Sequence, residues 1–86
     1  MSEAAEVRLR RLRMRSWRRG IREMDLVLGG FADAALAGLN AKSLDEFELL
    51  LSENDHDLYR WIGDSDNTPA AYQEIVGLIR AHHALG

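Results

Sequence analysis

Histidine, serine and carboxylate side chains are the groups in this sequence that can ligate a metal or attack a substrate, and their spacing argues against both. His82 and His83 are neighbours, so on a helix they point about 100° apart and cannot easily close on one ion. His56 stands alone, and the chain holds no cysteine. No metal site is expected. Ser16, Ser43, Ser52 and Ser65 lie in no nucleophile motif, and there is no glycine-rich loop to hold a nucleotide. Asp55, Asp57, Asp64 and Asp66 include alternating acids but lack the glycine and closing glutamate of a calcium loop. Neither catalysis nor a bound cofactor is expected.

Arginine is the chemistry that remains. Arg8, Arg10, Arg11, Arg13, Arg15, Arg18, Arg19 and Arg22 face only Glu3 and Glu6, so residues 1–22 carry a net +6. Residues 23–86 carry −9, and the sum is the −3 of the whole chain. A basic start on an acidic body points to an anionic partner or to an internal docking pair. On a helical wheel Val7, Met14, Trp17 and Ile21 gather on one side and Arg8, Arg11, Arg15 and Arg18 on the other. Such an arginine face can bind phosphates, but base-reading Asn and Gln are absent from the helix. Nucleic-acid binding, or a regulatory, antitoxin-type role, is therefore the alternative reading.

The segment Arg18-Arg19-Gly20-Ile21-Arg22-Glu23-Met24-Asp25 is sharper. Arg19 and Glu23 are four apart, and Gly20 between them leaves bare backbone that another surface can approach. The residues read equally as a contact surface or as a helix junction with a solvated ion pair worth about 0.5 kcal/mol. A solvated Arg19 would matter to binding and little to the fold.

These residues must be positioned by a small scaffold. Eighty-six residues, 47% apolar and 29% charged, make one domain, 1–86, with its core over about 7–80. Periodicity predicts an all-α, compact five-helix bundle. The first helix covers about 5–18 and the second about 21–38. Gly20 either caps the first in a left-handed conformation or lies inside one long helix over 5–38, and periodicity leaves both open. Ser43 and Glu46 form a capping box for a third helix over about 44–53. Asp55 is the N-cap of a short fourth helix ending near Gly63. Thr68 caps the last helix, with Pro69 in its first turn. The core is expected to hold Trp17, Leu28, Phe47, Leu51, Leu58, Trp61, Ile75 and Ile79. No stretch approaches the roughly 20 apolar residues of a membrane span. The lack of cysteine fits a reducing compartment, and the cytoplasm is the expected location.

The block from Arg15 to Leu28, with Arg19-Gly20-x-x-Glu23 at its centre, resembles the signature of the SdhE (YgfY) family, the flavinylation factors of succinate dehydrogenase. Phe47-Glu48-Leu49-Leu50 followed by Asp55-His56-Asp57-Leu58-Tyr59-Arg60-Trp61 resembles that family's second block. Met14 departs from it where an aromatic is frequent, and Asn54 where proline or an acid is. The resemblance covers about 7–80. It implies a five-helix bundle with a break near Gly20, and a protein that transiently binds the flavoprotein subunit of succinate dehydrogenase, or of fumarate reductase, and promotes covalent attachment of FAD. It places the contact region at Arg19, Gly20 and Glu23. With their neighbours Arg15, Arg18 and Asp25, these are the candidate partner-binding residues. The free chain is expected to be a monomer.

Overall fold

A computed structural model describes residues 3–85. Among them five α-helices run in order: α1 (Ala5–Ser16), α2 (Arg22–Ala35), α3 (Ala41–Leu50), α4 (Asp55–Gly63) and α5 (Gln73–Leu85), with short 3₁₀ turns after α2, after α4 and before α5, and no strand. The all-α, five-helix expectation holds. α2 is the central element and touches α1, α4 and α5, while α3 packs on α5. Phe31 of α2 meets Phe47 of α3 with ring centroids 5.7 Å apart, and Leu28, Leu50, Leu58, Ile75 and Ile79 are fully buried around them.

Several helix ends differ from the sequence reading, each for a local reason. Asn40, not Ser43, caps α3: its side chain accepts from the Ser43 amide at 2.8 Å, and Ser43 is buried one turn inside the helix. Asn54, not Asp55, caps α4, accepting from the Asp57 amide at 2.9 Å. Pro69 is extended and opens a 3₁₀ turn over Ala70–Tyr72, so α5 begins only at Gln73. Thr68 is buried, its hydroxyl 3.4 Å from the Trp61 carbonyl oxygen.

The first helix turns away from the stripe of Val7, Met14 and Trp17. Leu12 and Ser16 face the core, with Leu9 packed against it, while Val7 is 49% and Met14 48% exposed. Ser16 is small, and its hydroxyl is satisfied by the Leu12 carbonyl at 2.7 Å, so it can sit in the core without an orphaned polar atom. α1 ends at Ser16, with Trp17 as its C-cap, and α2 starts only at Arg22. This excludes one continuous helix, and no described glycine has a positive φ, which excludes the left-handed cap at Gly20.

Trp17 is likewise not a core residue. Its indole lies across α2 at Gly29 and donates from Nε1 to Asp33 Oδ2 at 3.2 Å, leaving it 40% exposed. Gly29 is the seat: a Cβ there would fall 2.3 Å from the indole Cδ2. Gly29→Ala is expected to unseat Trp17 and to cost about 1–3 kcal/mol, as overpacking does. At Gly30 a Cβ meets only His83 Cε1, at an ordinary 3.8 Å, so Gly30→Ala is expected to hold or raise stability by up to about 1 kcal/mol through helix propensity. Thermal melts of the two variants check the pair, and similar melting temperatures would contradict it.

Candidate functional site

The turn over residues 17–21 and the start of α2 carry the candidate residues, and a carboxylate from far along the chain organises them. Arg19 points inward. Its Nε donates to Asp55 Oδ1 at 2.8 Å, Nη1 to the Leu51 carbonyl at 2.6 Å and Nη2 to the Glu53 carbonyl at 2.6 Å. Its side chain is only 12% exposed. Leu51 and Glu53 follow the last turn of α3, where carbonyls lack helical partners, so Arg19 caps that helix with a cation at its negative end. The other Asp55 oxygen accepts the Gly20 amide at 2.7 Å, and Asp25 Oδ1 accepts the Arg19 amide at 2.6 Å.

Arg19, Gly20, Asp25 and Asp55 thus form a latch that ties the α1–α2 turn to the α3–α4 turn. The solvated Arg19 expected from the sequence is overturned. Among the described residues Arg19 makes no ion pair with Glu23, which is exposed. Gly20 allows a close approach: a Cβ there would lie 2.9 Å from Asp55 Oδ2 and would displace the carboxylate from the latch. Asp55, expected from the sequence to be the α4 N-cap, is instead the partner of Arg19, a pairing hidden because the two lie 36 residues apart; the adjacent Asn54, itself a strong N-cap type, is the signal that Asp55 is free for another role.

Arg15 is half-buried and Arg18 exposed. They line a groove on the outer side of α1 together with Arg10, Val7, Met14 and Leu51. Arg11 lines the same groove but bridges Glu3 (2.8 Å) and Glu48 (3.0 Å), and its neighbour Arg8 bridges Asp45 (2.7 Å) and Glu48 (2.8 Å). Part of the basic charge is therefore docked internally on α3.

Burial opposes ionisation of Asp55, but the Arg19 guanidinium and the Gly20 and Ile21 amides outweigh it and hold the carboxyl below its usual range. Glu48 is likewise held low against burial by Arg11 and Arg8. Both groups bind fewer protons folded than unfolded. Their stabilisation is present above the ordinary carboxylate value of about 4 and disappears as pH falls through the lowered folded values. Melting temperature is expected to fall steeply below about pH 4. Asp55→Asn is expected to melt lower than the parent at neutral pH and to lose less on acidification. A parent melt that does not change between about pH 5 and pH 2 would contradict this.

Among the described residues no three His, Asp or Glu side chains gather as a metal site, and no described helix is long and apolar enough to cross a membrane. The fold and this surface define the class: an all-α bundle with a latched polar corner beside a basic, partly apolar groove. The chain belongs to the Sdh5 family, described as flavinator of succinate dehydrogenase, whose model matches residues 10–83.

It is 36% identical over 84 residues to succinate dehydrogenase assembly factor 2-A, mitochondrial, of Drosophila erecta, covering 94% of this chain and 52% of that protein. It is 44% identical over 63 residues to succinate dehydrogenase assembly factor 2, mitochondrial, of Aspergillus terreus, covering 70% of this chain and 21% of that protein. The namesake of Debaryomyces hansenii is also 44% identical, over 59 residues, covering 69% of this chain and 42% of that protein. The chain spans about half, or less, of the length of these curated relatives. Their names say mitochondrial, which overturns the cytoplasmic expectation; a chain without cysteine fits any reducing compartment and does not single out the cytoplasm. Nothing in these names supports the nucleic-acid reading of the arginine face.

Proposed function

We infer that the chain is an assembly factor that binds the flavoprotein subunit of succinate dehydrogenase and promotes covalent attachment of FAD to it. The observation that carries this reading is the family match over residues 10–83, and the latched corner gives it a physical form. The bond joins a flavoprotein histidine to the flavin, whose own chemistry supplies the reactivity. A helper without catalytic groups acts by holding the flavoprotein where the two meet, which is a gain in proximity and orientation. Arg15, Arg18 and Glu23 are the corner's outward groups in this reading. Arg19, Gly20 and Asp25 set the shape of the turn that presents them. The complex is a transient one-to-one heterodimer, and the free chain is a monomer.

The test is mass measurement on mixtures of this chain with purified flavoprotein subunit lacking covalent flavin. A one-to-one complex that dissociates once flavin is attached is the expected result. Absence of any complex under those conditions would overturn the reading.

A further inference from the structure

The groove on α1 holds about 490 Å³ and is built differently from the rest of the surface. Val7 and Met14, whose apolar side chains stand half in water, line it together with buried Leu51. Five arginines line the same groove: Arg11 and Arg19 are paired with acids of the chain, whereas Arg10, Arg15 and Arg18 make no ion pair among the described residues. The fold supplies acids to two of the groove's arginines and leaves the other three without a partner acid among the described residues.

The spacing suits an elongated occupant. Val7, Arg10 and Met14 succeed one another at one turn each along α1, Arg18 follows just past its end, and Val7 to Arg15 covers about 12 Å of axis. One phosphate cannot reach three guanidiniums so spread, but carboxylates one turn apart on a helix can. We propose that this groove docks an acidic amphipathic helix of a partner protein, with its apolar side chains seated on Val7 and Met14 and its carboxylates paired with Arg10, Arg15 and Arg18. The partner's identity as the flavoprotein subunit rests on the function inferred above; the chemistry of the docked segment does not.

Two probes separate those claims: the flavoprotein subunit, and a synthetic helix of about four turns with leucine along one stripe and glutamate beside it. Each is titrated against the full chain, against the Arg10→Gln/Arg15→Gln/Arg18→Gln variant, against Met14→Ser, and against a control, Arg13→Gln/Arg22→Gln, whose arginines lie outside the groove. Thermal melts confirm that all are folded. The triple variant is expected to bind both probes about tenfold or more weakly, and Met14→Ser severalfold, with less than about twofold for the control. The parent's affinity should drop as ionic strength rises from about 0.01 M to about 0.15 M, where screening shortens from about 30 Å to about 8 Å, and the triple variant's should change far less.

If the synthetic helix binds in this groove-dependent way and the flavoprotein does not bind at all, the groove stands and the flavoprotein reading fails. If the flavoprotein binds parent and triple variant alike, docking lies elsewhere and the proposal is overturned. It is also overturned if neither probe binds the parent, or if ADP displaces the synthetic helix, which would make the groove a phosphate-ligand site.

Discussion

Trp61→Ala is expected to remove a large share of the protein's stability. Trp61 is 6% exposed, its ring lies 5.6 Å from that of Tyr72 between centroids, and its carbonyl faces the buried Thr68 hydroxyl. Removing the indole leaves a large cavity where α4 meets the turn into α5, at a cost of about 3–5 kcal/mol. A chain of this size has only about 5–15 kcal/mol of stability, and the melting temperature should fall by roughly 15–30 °C. Trp61→Phe keeps most of the volume and should recover a good part of the loss. A melting temperature within a few degrees of the parent for the alanine variant would contradict the burial of this side chain.

Arg19→Ala is the second. On a solvated arginine the substitution would leave the fold intact, but here it removes three hydrogen bonds, to Asp55, Leu51 and Glu53. The end of α3 loses its cap, and the largely buried Asp55 carboxylate keeps only the turn's amides. Breaking a pair of this kind costs about 2–4 kcal/mol. Arg19→Lys keeps the charge but not the three-way fork, so it should recover only a minor part. Gly20→Val should fall between parent and Arg19→Ala, because its side chain pushes on the same Asp55 oxygen at 2.9 Å. Any loss of partner binding in these variants has to be read against the loss of fold. Arg18→Ala is the cleaner probe of contact, since Arg18 is exposed and makes no ion pair among the described residues.

The number and kind of the elements were legible in the sequence because the apolar stripes of α2 to α5 are strong and each helix carries a stop nearby. Leu28, Phe47, Leu51, Leu58, Trp61, Ile75 and Ile79 were all placed correctly in the core. α1 misled because Val7 and Met14 continue the spacing of Trp17 and Ile21, while Leu9, Leu12 and Ser16 on the other side of the helix pack inward. A buried serine that bonds its own helix leaves no hydrophobic mark. Trp17 misled in the same way: its place on α2 depends on Gly29, twelve residues on, and a missing side chain gives no periodic signal. The caps slipped by one to three residues because asparagine stood just ahead of the serine and aspartate chosen. The latch was beyond local reasoning altogether. Arg19 and Asp55 are brought together only by the packing of two turns, and nothing in the spacing of either segment names the other.

The role proposed for this chain is to promote covalent flavin attachment by binding the flavoprotein subunit. The direct measurement is flavin fluorescence of the denatured flavoprotein subunit, produced in cells lacking any other such factor, with and without this chain. Strong covalent flavin signal is expected only when the chain is present, with reduced signal for Arg18→Ala, and with retained flavoprotein and unchanged chain melting temperature in both cases. Equal covalent flavin with and without the chain would contradict it.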